Sequence, residues 1–189
     1  MFTDARSKTI LFVAHCILNQ NSISDGTAAY PGSVKPIIAL LLESGIGIVQ
    51  LPCPEMMCLG LDRGDKTGAA SPVIEENTRI RKALEQETAV QKLNALVGPL
   101  VFQIMEYQKY GFDIRGIVGI NRSPSCGVET TSKNNHEVAG QGIFMEALWL
   151  ELEKNDLHLK MIGVKDSKPE ESIKAVQTLI APDFGVCQP

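Results

Sequence analysis

Cysteine is the residue type with the widest chemistry in this chain, and five are present: Cys16, Cys53, Cys58, Cys126 and Cys187. An odd number of scattered thiols, in a chain whose first residues lack the apolar run of a secretory signal, is a poor disulfide framework. No CxxC pair occurs, which argues against a zinc ribbon or a thioredoxin-like redox site. Cys53 lies in Pro52-Cys53-Pro54 and Cys126 in Ser125-Cys126-Gly127. Proline fixes the backbone beside a thiol, while glycine leaves room for close approach and free N–H groups that favour thiolates, oxyanions and cluster sulfides. Three thiolates from Cys16, Cys53 and Cys126, with a fourth position left to a ligand, describe an open inorganic site. Zinc fits three sulfurs and a water. A 4Fe-4S cluster with one free iron fits better where the substrate itself brings sulfur, because soft metals prefer soft ligands.

Around these thiols, Glu55 follows Cys53-Pro54 directly and is the best-placed carboxylate for proton transfer. Asp25, Arg63, Ser123 and Ser125 are weaker candidates of the same kind. Cys58 is read as a small core residue and Cys187 as unremarkable. His15 should point away from Cys16 if the preceding strand continues through both residues, and His136 and His158 have no partner in the pattern. Nucleophilic catalysis at Cys126 is a rival reading, but no His/Asp partner stands out for it.

Thiols so far apart in sequence need elements that gather them. Thr9 to Ala14 is an apolar run suited to a strand buried on both faces, and it ends at His15-Cys16. A helix from Ser33 to Leu42 leads to a second strand, Ile46 to Leu51, which ends at Cys53. Leu59 to Ser71 reads as a glycine-rich surface loop. From Pro72 the spacing is helical to Lys109, with a break expected at Gly98-Pro99. Ile114 to Ile120 is a third strand running into Asn121-Arg122-Ser123-Pro124-Ser125-Cys126-Gly127. A helix from Gly142 to Lys154, a strand from Leu157 to Val164 and a helix from Pro169 to Ile180 close the chain. This order predicts a single α/β domain over 1–189: a three-layer, open parallel, Rossmann-like sheet of about four to five strands with a helical insertion at about 72–110. Parallel strands put Cys16, Cys53 and Cys126 at one sheet edge, where open α/β sheets bind ligands.

Composition narrows the partners. A net charge of -4 argues against nucleic acid, whose non-specific affinity comes from clustered Lys and Arg. No run approaches the roughly 18 apolar residues of a membrane span, so the expected partner is a small molecule and the expected location the cytoplasm. Apolar residues at 44% and charged residues at 21% are those of a chain that folds around its own core.

Cys16-Ile17-Leu18 with Asp25-Gly26, then Cys53-Pro54-Glu55 with Gly60 and Arg63, then Arg122-Ser123-Pro124-Ser125-Cys126-Gly127, resemble the thiouracil desulfurase family of iron-sulfur desulfidases over roughly the first two-thirds of the chain. The resemblance implies a 4Fe-4S cluster on Cys16, Cys53 and Cys126, with an open iron that takes sulfur from a thiolated nucleobase. It also implies that Glu55, Ser123 and Ser125 serve catalysis and that Ser22, Asp25 and Arg63 meet the substrate. Family members often carry a further cysteine where this chain has Ser22, and the segment from Thr67 to Tyr110 departs from them in its helical content. Two other functions share the same thiols: a zinc- or cysteine-dependent hydrolase, and a non-catalytic iron-sulfur sensor.

Overall fold

A computed structural model describes residues 2–182, so Cys187 lies outside the described residues. The first strand, β1 (Thr9–Val13), is buried along almost its whole length, with Leu11, Phe12 and Val13 fully enclosed. That explains its continuous apolar run: a central parallel strand has no wet face on which polar residues could alternate. It pairs in parallel with β2 (Gly47–Gln50) on one side and β3 (Asp113–Ile120) on the other, and β3 pairs with β6 (Met161–Val164). The sheet order is therefore β2-β1-β3-β6, all parallel, with the reversal of direction falling between β1 and β3.

Helices cover both faces. On one, α2 (Lys35–Glu43) and α7 (Pro169–Ile180) pack against each other and against β2, β3 and β6. On the other, α5 (Glu87–Lys109) lies on β3 and packs against α6 (Ile143–Lys154), whose Phe144, Met145 and Leu148 are fully buried. The fold is thus the expected three-layer α/β sheet, with four strands. Pairing of β1 with β3 shifts register between Ile10 and Phe12, opposite Arg115-Gly116. Gly116 takes a positive φ there, and a Cβ would stand 2.4 Å from the Lys160 carbonyl, so only glycine fits.

Two expectations need correction. The middle helices do break, but at Glu85-Gln86, between α4 (Val73–Leu84) and α5, and not at Gly98-Pro99. Pro99 sits inside α5 with Val97, Leu100, Val101 and Ile104 buried around it, while Pro99 and Ala95 both face solvent. Water can therefore solvate the Ala95 carbonyl that proline leaves without a donor, and packing of the apolar stripe holds the helix through it. The second correction is that β1 stops at Val13. A four-residue helix, α1 (His15–Leu18), begins at His15, so the strand argument about its facing does not apply.

A two-stranded antiparallel hairpin, β4 (Thr130–Lys133) and β5 (His136–Ala139), follows the Cys126 loop and packs against α4. The sequence reading missed it. Its signal was Asn134-Asn135, both at positive φ between the two short strands, which is the chemistry of a tight hairpin turn. Among the described residues no helix is long and apolar enough to cross a membrane.

Candidate functional site

Three strands end at three thiols. Beyond β1 the ladder continues through Ala14, which donates to the Val118 carbonyl at 2.8 Å, and Cys16 follows in the first turn of α1. Beyond β2, Leu51 donates to the Val13 carbonyl at 2.8 Å, and Cys53 caps α3 (Pro54–Leu59) with its sulfur accepting from the Met56 N–H at 3.5 Å. Beyond β3, the loop from Asn121 turns back so that the Cys126 carbonyl accepts from Ile120 N–H at 2.9 Å. Cys16, Cys53 and Cys126 all line one cavity of about 500 Å³, at the carboxyl end of the sheet and beside the β1/β3 reversal point. The described cysteines are free thiols.

The Cys126 loop is held from within. Asn121 accepts from the N–H groups of Val128, Glu129 and Thr130 at 3.3, 3.0 and 3.2 Å and donates to the Gly163 carbonyl at 3.1 Å, which ties the loop to β6. Ser123 Oγ accepts from the Cys126 N–H at 2.9 Å and the Ser125 N–H at 3.2 Å. A Cβ on Gly127 would lie 2.3 Å from the Thr130 carbonyl and 2.8 Å from that of Ser123, so the turn closes only with glycine after the cysteine. Asn77 of α4 donates to Arg122 O at 3.4 Å and to Ser132 Oγ at 3.2 Å. The middle helices therefore brace the loop as well as the hairpin behind it.

Beneath the cavity lies a buried ion pair. Arg63 is 2% exposed, adopts a left-handed φ of 55°, and donates to Glu55 Oε2 at 3.1 Å. Its remaining N–H groups go to the carbonyls of Leu61 at 2.8 Å, Gly60 at 3.3 Å and Ser22, and one points at Cys53 Sγ at 3.8 Å. A buried guanidinium with every arm committed fixes the loop from Gly60 onward against α3. Glu55 also accepts from Ser125 Oγ at 2.6 Å and from Ser24 Oγ at 3.3 Å. Ser125 in turn lies 3.6 Å from Cys126 Sγ. Glu55, Ser22, Arg63, Ser123 and Ser125 thus share the wall that carries the thiols. Asp25 does not: it lines a neighbouring cavity of about 440 Å³, separated from the first by Ser24 and Arg63, which border both.

Burial pushes all three thiols up from the ordinary cysteine value, most strongly at Cys16 and Cys126. At Cys126 the charges of Cys16, Cys53 and Glu55 add to burial, and at Cys16 those of Cys53, Glu55 and Asp166 do. At Cys53 burial and Glu55 act upward, while the Met56 N–H and Arg63 pull the other way. Three thiols in each other's field cannot all ionise in a buried pocket unless something cationic joins them. A positive, sulfur-seeking centre would relieve that repulsion. Among the described residues no three His, Cys, Asp or Glu side chains are gathered as ligands of a single metal ion. A four-iron cubane differs from one ion in giving each thiolate its own iron, so its ligands stand apart from one another.

Cys58 lies outside this set, buried with its sulfur donating to the Ala89 carbonyl at 3.6 Å. His15 lines no part of the cavity, and burial and Arg63 push its imidazole down. His136 and His158 stand on the exposed surface with partners of their own. Four residues escaped the sequence reading: Asn121, Ser24, Gln20 and Asp166. Asn121 opens the very loop that was singled out. Asp166 follows the fourth strand as the cysteines follow the first three, and the strand-end rule applied once more would have reached it.

No family model matches the chain. It is 32% identical over 174 residues to an uncharacterized protein of Methanocaldococcus jannaschii, MJ0003, covering 92% of this chain and 96% of that one. A solved structure of a 4Fe-4S-dependent thiouracil desulfidase, TudS, is 16% identical with a TM-score of 0.45, over 90% of this chain and 99% of that one.

Proposed function

The chain belongs to the family of the uncharacterized Methanocaldococcus jannaschii protein MJ0003, and from its three strand-end thiols we propose that it is an iron-sulfur desulfidase acting on a thiolated nucleobase or a related thiocarbonyl compound. The observation that carries this reading is the joining of Cys16, Cys53 and Cys126 to Glu55 on one cavity of about 500 Å³, a size suited to a small planar ligand. The motif resemblance to thiouracil desulfurases agrees with it. Cys16, Cys53 and Cys126 would hold a 4Fe-4S cluster, which when bound supplies an open Lewis-acid position for sulfur.

The reaction is redox-neutral: a thiocarbonyl and water give a carbonyl and hydrogen sulfide. The protein must therefore bind the ring, hold a water against its carbon, take one proton from that water and release it later. Glu55 is the base, because it is the carboxylate on the thiol cavity that Arg63, Ser24 and Ser125 hold in one orientation. Ser125 links Glu55 to the Cys126 side of the pocket and passes protons or orients water there, while Ser123 fixes the Cys126 backbone.

The test is anaerobic reconstitution of wild type and of Cys16→Ala, Cys53→Ala, Cys126→Ala and Cys58→Ala, with iron and acid-labile sulfide measured alongside sulfide release from thiouracil. Loss of the cluster in the first three variants only, with turnover in wild type, is the expected result. Zinc without labile sulfide, or a cluster that survives Cys16→Ala, would overturn it.

A further inference from the structure

Asp166 completes a pattern that the thiols begin. The ends of β1, β2 and β3 deliver Cys16, Cys53 and Cys126 to the cavity, and the segment after β6 delivers Asp166 to the same cavity. Against the burial that raises Asp166, Gln20, a side chain only 2% exposed, lies beside its carboxyl and favours the charged form. Gln20 is itself held: its oxygen accepts from the Ala29 N–H at 3.0 Å, and its amide nitrogen donates to the Cys16 carbonyl at 2.8 Å. Asp166 thus stands beside a side chain that is fixed to the backbone of a thiol-bearing residue.

The three carboxyls of the pocket differ in what they have left to offer, and Glu137 is taken by Lys165. Glu55 already accepts from Arg63, Ser24 and Ser125. At Asp166 the neighbouring cations are spent elsewhere, Lys165 on Glu137 and Lys168 on Glu171. Among the described residues no ion pair forms at Asp166. A carboxyl has room for about four acceptor contacts. Asp166 therefore meets the cavity as an acceptor with open lone pairs, in a wall where the thiols offer only weak hydrogen bonding.

On the desulfidase reading, we propose that Asp166 is a specificity-determining residue that accepts a hydrogen bond from the substrate N–H adjacent to the thiocarbonyl, and so selects N–H-bearing thioamide rings over N-alkylated ones. Asp166→Asn replaces one acceptor oxygen with an NH₂ donor and removes the charge, so the conservative variant should weaken the contact as Asp166→Ala does.

The experiment compares 4-thiouracil with N3-methyl-4-thiouracil in reconstituted wild type, Asp166→Ala and Asp166→Asn, each checked for iron and sulfide content. Alongside, binding of uracil and N3-methyluracil is measured by calorimetry, a readout that needs no turnover. Wild type should prefer the N–H compound by about tenfold or more in both kcat/KM and affinity. Both variants should bring that ratio to within about threefold, mainly through KM, with cluster content unchanged. An undiminished preference in variants that keep their cluster overturns the role of Asp166 and leaves the desulfidase reading standing. Wild type that releases sulfide from neither compound overturns both.

Discussion

The Ser125 hydroxyl donates to Glu55 Oε1 at 2.6 Å, joining the loop after β3 to the helix after β2. Both residues are buried, so this contact locks two of the thiol-bearing segments to each other. Ser125→Ala should cost about 1 to 3 kcal/mol in urea unfolding, the usual range when a hydrogen bond to a buried charged group is lost. It should lower turnover while the protein still takes up its cluster, since no cysteine is removed.

Arg63 and Glu55 form a pair that neither can leave alone. Arg63→Met strands the carboxylate in a pocket of thiols, and a loss of about 3 to 5 kcal/mol is expected. Arg63→Lys should recover little, because an ammonium cannot reach Glu55 and the Leu61 and Ser22 carbonyls together. In Arg63→Met with Glu55→Gln, much of the loss should return. Denaturation of the four proteins as a double-mutant cycle measures the coupling.

Asn121 touches no substrate in the proposed reaction, yet its one oxygen receives three backbone N–H groups of the loop that presents Cys126. Asn121→Ala should therefore loosen the loop, costing about 1 to 3 kcal/mol, and reduce iron content on reconstitution. Asn121→Asp, which keeps the acceptor, should retain most of both. Iron stoichiometry after gel filtration distinguishes the two.

The metal-free protein should lose stability as pH rises through the alkaline range. Each of the three site thiols is raised above the ordinary value of 9.0, so the folded chain holds protons that the unfolded chain has released. With fewer protons bound to the unfolded state, stability falls with pH, by about 1.4 kcal/mol per unit for each thiol. The fall begins near 9.0, the ordinary thiol value, and stops only above the folded-state value. Urea midpoints of wild type from pH 8 to 10.5 should show this slope, and Cys126→Ser should flatten it.

Much of this site was legible because strands in a parallel sheet all end on one side. The apolar runs at Thr9, Ile46 and Ile114 marked β1, β2 and β3 to within a residue or so, and the thiols after them needed no further information. Less visible was anything fixed by partners distant in sequence. The ring of Pro99 is tolerated because of which way α5 faces, and the hairpin at Asn134-Asn135 is polar enough to pass for a loop. Arg63 was legible only through the motif resemblance, and no local pattern announced that its donors reach Glu55, Gly60, Leu61 and Ser22. Asp166 carried no flanking motif at all, and its place follows from where β6 stops.

Because the three thiols hang from three different strands, no stretch of chain shorter than Cys16 to Cys126 can assemble them, and β1 must already be flanked by β2 and β3. During synthesis the growing polypeptide cannot load a metal centre until most of its length has emerged. If the proposed cluster is held there, its maturation would be ordered: the sheet closes first around three protonated thiols, and the inorganic cargo then enters a finished pocket through its mouth. A donor delivering such cargo would recognise the folded rim of the protein and not an extended cysteine motif.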